Sequence, residues 1–158
     1  MRRVLVLFLL LVLVLAGCEG KRMPLSPEEF REKAEAAGFI LEDITIQFEI
    51  EEGAGLELYL EFSQGSAADF CLGRFILYKK EKQAAAFYAQ REAWIKDNEA
   101  EIAPLAAAAG KNFAYQIYSF RGQYQAVSWL GNSVIVIAAA GDKTEELDQF
   151  LQELGYKN

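Results

Sequence analysis

Twelve consecutive apolar residues, Val4 to Leu15, follow Arg2 and Arg3 and lead into Ala16-Gly17-Cys18. Past them the rhythm of the chain changes. Ser26-Pro27-Glu28-Glu29 reads as a helix start, with Ser26 as cap, Pro27 at the first helical position and Glu29 closing a capping box. Phe30, Ala34 and Ala37 make a thin apolar stripe, and Gly38 stops the helix. Ile44, Ile46, Phe48 and Ile50 then alternate with Thr45, Gln47, Glu49 and Glu51, the period of a half-buried strand. After Glu52-Gly53-Ala54-Gly55 the alternation resumes with Leu56, Leu58, Leu60 and Phe62 against Glu57, Tyr59 and Glu61, which predicts a hairpin. Pairing Glu52 with Leu56 sets Glu51 opposite Glu57 and Gln47 opposite Glu61, so the outer face of that hairpin is acidic. A third strand, Ala68 to Tyr78, carries Gly73 in its middle, the mark of a bulge or a close backbone approach.

Three- and four-residue spacing of Ala84, Phe87, Tyr88, Arg91, Ile95, Asn98 and Ile102 predicts a long helix over 80–102. Pro104 breaks it, and the Ala-rich piece Ala106 to Gly110 reads as a helical extension or a loop. Three strands follow, Phe113 to Phe120, Gln123 to Leu130 and Ser133 to Ala140, joined by the two-residue turns Arg121-Gly122 and Gly131-Asn132. Their alternation sorts Phe113, Tyr115, Ile117, Ala126, Leu130, Ile135 and Ile137 onto one face. Gln116, Tyr118, Gln123, Gln125, Val127 and Trp129 fall on the other. Asp142 and Glu145 open a last helix with the stripe Leu147, Phe150, Leu151 and Leu154, ended by Gly155. The order α-βββ-α-βββ-α, with the βββα unit appearing twice, implies an α+β fold. The expected architecture is a two-layer sandwich, an antiparallel sheet of about six strands with helices on one face.

The apolar opening changes what the rest means. A charged start, about a dozen apolar residues and a small-residue cut site describe a secretory signal peptide, too short for the roughly 20 residues that span a bilayer. Leu15-Ala16-Gly17-Cys18 resembles a bacterial lipobox, in which the cysteine thiol takes a diacylglycerol and becomes the first mature residue. The alternative is an ordinary signal peptide with an incidental cysteine. On the lipobox reading, 1–17 is the leader, 18–25 the lipidated Cys18 with a short tether, and 26–158 one globular domain. The protein is then anchored in the cell membrane and faces outside the cytoplasm. A tether from Glu19 to Leu25 reaches at most ~25 Å, which keeps the domain near the bilayer. Two or three acyl chains hold it there, where one chain binds only reversibly.

Composition narrows the function classes. The leader holds two of sixteen basic residues and none of twenty-three acidic ones, leaving fourteen against twenty-three and a net charge of −9. Such a surface disfavours nucleic acid. Histidine is absent, which removes the commonest general base and metal ligand together. With Cys18 acylated, Cys71 is the remaining thiol and has no intramolecular partner. In Phe70-Cys71-Leu72-Gly73 it reads as a small buried hydrophobe, against the alternative of a reactive thiol. No Ser-x-x-Lys motif supplies a serine with a lysine base, and Gly53-Ala54-Gly55 lies in a hairpin loop rather than at a phosphate-cradling strand–helix turn. Glu49, Glu51, Glu57 and Glu61 share a hairpin face but read as a solvated strand rather than a calcium site. We therefore expect no enzyme activity, no cofactor and no metal.

What remains is recognition. Gln116, Tyr118, Gln125 and Trp129, with Tyr59 beside them, mix large rigid aromatics with amides. If the helices cover the opposite face, these residues project into solvent and suit a protein, peptide or glycan partner in the envelope. The alternative packs Trp129 and Tyr118 under a loop or helix. The main expectation is a lipid-anchored, extracytoplasmic, non-catalytic binding module. A second is a structural or regulatory envelope protein that modulates a neighbouring membrane complex through the acidic hairpin.

The lipobox through Cys18, Ser26-Pro27-Glu28-Glu29-Phe30, Ala36-Ala37-Gly38-Phe39, Ser128-Trp129-Leu130-Gly131-Asn132 and Leu154-Gly155-Tyr156 together resemble a group of small lipoproteins of Gram-positive, clostridia-like bacteria. That resemblance implies an envelope location and a small α+β domain. It assigns no catalytic or binding residues.

Overall fold

The computed structural model describes residues 22–47, 55–65 and 70–158; residues 1–17, expected to be a leader, and Cys18 lie outside them. Helix α1 (Pro27–Ala36) starts as its sequence requires. The Glu29 amide donates to Ser26 Oγ at 3.2 Å, and the Ser26 amide donates to Glu29 Oε2 at 2.9 Å. At its other end the Gly38 amide reaches Glu35 O and the Phe39 amide reaches Ala34 O, with Gly38 at φ +83°. This double bond pattern turns the chain sharply and drops Phe39 into the core.

Strand β1 (Ile40–Asp43) follows at once, then β2 (Leu56–Gln64) and β3 (Cys71–Tyr78). Helix α2 (Glu81–Asp97) and a 3-10 turn (Glu99–Glu101) lead to β4 (Ile102–Ala109), β5 (Phe113–Phe120), β6 (Gln123–Leu130) and β7 (Ser133–Ala140). After a second 3-10 turn (Gly141–Lys143) comes α3 (Thr144–Glu153), closed at Gly155 by the same amide pattern as α1. All neighbouring strands are antiparallel, in the order β1-β2-β3-β7-β6-β5-β4. The α+β class is as the sequence predicts, with seven strands where about six were expected.

Two strand assignments change. The alternation from Ile44 to Ile50 does not continue the first strand. Asp43 Oδ1 accepts from the Thr45 amide at 3.1 Å and from Thr45 Oγ1 at 2.7 Å, while the Tyr59 amide donates to Thr45 Oγ1 at 2.8 Å. The Asp43–Thr45 turn thus takes over the ladder, residues 45–47 are helical, and 48–54 lie outside the described residues. Pairing runs through β1 instead, so Glu42, not Gln47, stands opposite Glu61. The Ala-rich piece is the second change. It is strand β4, neither helix nor loop, because Pro104 bars helix continuation and β5 offers a full backbone ladder.

One face of the sheet packs with α1 and α3 around Phe30, Phe39, Phe62, Phe75 and Phe150. Phe30 and Phe75 stack at 4.2 Å between centroids, and Phe39 meets Phe62 edge-on at 5.1 Å. Gly73 lies directly across from Phe62, whose ring occupies the space a Cβ would need, only 2.0 Å away. The glycine marks a close approach. The opposite face carries Tyr59, Ile76, Val127 and Val134, and α2 packs on it through Ala84 and Tyr88. Helices on one face therefore describes α1 and α3; α2 crosses to the other side because Phe87, Tyr88 and Ile95 find a second apolar patch there.

Candidate interaction site

Gln116 and Tyr118 on β5, and Gln125 and Trp129 on β6, share a face as their alternation requires, with Tyr118 opposite Gln125 and Ala114 opposite Trp129. That face is the one beneath α2. Tyr118 is 7% exposed and does not project into solvent. Trp129 lies half-buried with its ring 6.3 Å from Tyr88, and its Nε1–H donates to Gly131 O at 2.6 Å. Gln116 donates from Nε2 to Glu92 Oε1 of α2 at 3.1 Å, and Gln125 is half-buried. Burial raises the Tyr118 phenol above its ordinary value, opposed by the Arg91 charge. Burial likewise pushes Tyr88 up to about 12, reinforced by Glu92 and opposed by the Gln116 hydrogen bond. The structure brings the four residues together, and it gives Tyr118 and Trp129 a packing role under a helix.

Where α2 leaves the sheet, part of the face stays open. A groove of about 520 Å³ runs between the second half of α2 and the β4–β5 pair, lined by Glu92, Ile95, Lys96, Glu99, Ile102, Pro104 and Gln116. Its floor is apolar and its rim carries both charges. Trp94, 37% exposed, packs edge-on against Phe120 at 5.5 Å beside it. Leu105, 53% exposed, stands at the register shift between Pro104 and Ala106. β4 ends the sheet, and no described strand pairs with its outer side. Ala106 and Ala108 face the α1/α3 core, so Ala107, opposite Gln116, extends the groove face along the edge.

Elsewhere the chemistry is sparse. Cys71 is 1% exposed, and burial pushes its thiol up to about 12, which keeps it protonated at neutral pH. Glu57 is exposed, Glu61 approaches Arg74 at 3.8 Å, and Glu49 and Glu51 lie outside the described residues. Among the described residues no three acidic, Cys or His side chains converge as a metal site, and no helix is long and apolar enough to cross a membrane. The sequence reading missed Ile95, Ile102 and Pro104 as groove residues because it missed β4. A signal was present: Gly110-Lys111-Asn112 before Phe113 is a tight turn, closed by the Gly110 amide on Phe113 O at 2.8 Å. No protein-family model, curated protein or solved structure matches the chain.

Proposed function

We propose that this protein is a lipid-anchored, extracytoplasmic interaction module without chemistry of its own, and that it captures an extended segment of an envelope protein along β4. The observation that carries the reading is the unpaired outer edge of β4 beside an apolar groove. An added strand satisfies the free amides and carbonyls of that edge. Its alternate side chains then fall over Ile95, Ile102 and Pro104, the division of labour seen in strand-addition recognition. Small alanines along the edge let a second backbone approach closely. The anchor rests on the leader and Cys18.

Photo-cross-linking in intact cells tests it, with a benzophenone amino acid at Leu105 or, as control, at Glu28 on α1. A discrete membrane-fraction adduct from position 105 and none from 28 is the expected result. Equal yields from both positions, or none from either, would reject the β4 edge as the contact. Cys18→Ser separately tests the anchor, which predicts loss of the protein from the membrane fraction.

A further inference from the structure

The sequence allows a tether of about seven residues, but the fold grips the chain well before Leu25. Asn112, 3% exposed, holds the Arg22 backbone at both ends. Its Oδ1 accepts from the Arg22 amide at 3.3 Å, and its Nδ2 donates to Arg22 O at 2.7 Å. The Arg22 guanidinium lies 3.8 Å over the Phe113 ring and also donates to Asn158 Oδ1. Pro24 packs beside Gly131, where a Cβ would meet it at 3.2 Å. These partners all belong to one end of the sheet, formed by the 110–113 and 131–132 turns and continued by Tyr78, which exchanges hydrogen bonds with Asn132.

We infer that this end of the sheet rests against the lipid headgroups, an inference that deepens the anchored reading and depends on it. Only residues 19–21 separate Cys18 from the gripped Arg22, so the attachment point reaches at most about 14 Å. An eight-residue strand such as β5 sets its two ends about 24 Å apart. The tether cannot bring the opposite end to the bilayer without releasing Asn112. Charge agrees with that direction: at the far end Asp97, Glu99, Glu101, Asp142, Glu145 and Glu146 outnumber Lys96, Arg121 and Lys143, so an anionic surface repels that end on balance. Lys80, Lys82 and Lys111 are exposed at the near end, which also holds Glu57 and Glu81. The groove, lined by the last turns of α2 and the start of β4, then opens away from the membrane.

The test uses the full acylated chain in vesicles of phosphatidylcholine and phosphatidylglycerol doped with a nickel-chelating lipid. Nitroxides are placed at Lys111→Cys or Asp142→Cys, each in a Cys71→Ala background. The label at position 111 should relax several-fold faster than the one at 142. Asn112→Ala, which lengthens the free tether, should shrink that difference while the protein stays on the vesicles. Equal relaxation at the two positions in a chain whose mass shows the lipid overturns the orientation alone. A chain without lipid mass on Cys18 overturns the anchored reading and the orientation with it.

Discussion

Gly73 controls a corner of the core by having no side chain. The Phe62 ring fills its place and is itself wedged against Phe30, Phe39 and Phe150, at 5.5, 5.1 and 6.2 Å between centroids. A methyl there has nowhere to push the ring. Gly73→Ala should cost about 1–3 kcal/mol, the range for overpacking a dense core, read as a lower urea midpoint at unchanged slope. The glycine was legible as a special position, but the ring that covers it was not, because cross-strand register is a non-local fact. Another network shows the same limit. Tyr156 is delivered inward by the turn at Gly155; its hydroxyl donates to Ser133 Oγ, which donates to Leu130 O at 2.7 Å, while Ser128 Oγ donates to Tyr156 O at 2.7 Å. Three buried hydroxyls are thus satisfied, one by another hydroxyl and two by backbone carbonyls, and no spacing in the chain announces it.

At the scale of elements, the helix ends were the most readable. Caps and glycine stops act through hydrogen bonds within a few residues, so Ser26, Glu29, Gly38 and Gly155 carry their meaning locally. Ser26→Ala should remove the cap on the Glu29 amide and cost about 1 kcal/mol, detected as a lower thermal midpoint, whereas Ser26→Asp should hold it. The Glu29 carboxyl is held below its ordinary value chiefly by the Ser26 amide, a backbone contact that the substitution leaves in place. β4 was unreadable for the opposite reason. Four alanines favour helix in isolation, and only the ladder offered by β5 makes them a strand. The Asp43–Thr45 turn misled in a similar way, since two side-chain hydrogen bonds outcompete a well-formed alternation.

For the whole molecule, burial of protonated groups sets the response to alkali. Cys71 moves from its ordinary 9.0 to about 12 through desolvation, and Tyr88 from 10.0 to about 12 for the same leading reason. Desolvation raises Tyr118, Tyr124 and Tyr156 as well. A raised pKa means the unfolded chain gives up its proton first. The stability these groups confer is therefore complete below about pH 9 and is lost as pH climbs from there toward 12. Urea midpoints should stay level through neutral pH and then fall, with the tyrosinate absorbance of Tyr88, Tyr118, Tyr124 and Tyr156 appearing only as the protein unfolds. Early, gradual ionisation of every tyrosine in the folded state would contradict that burial.

The charged and then apolar opening through Cys18, the α+β class, the helix caps, the hairpins of β5 to β7 and the split of their side chains into two faces are properties of neighbouring residues, and the chain determines them by itself. Tertiary structure decided which of those faces α2 would cover, that β4 would be the open edge, and that Asn112 would seize Arg22 from ninety residues away. Each depends on two distant segments meeting. A one-dimensional pattern can mark a surface as apolar or a backbone as strand, but which partner covers it is settled by the free energy of the assembled whole.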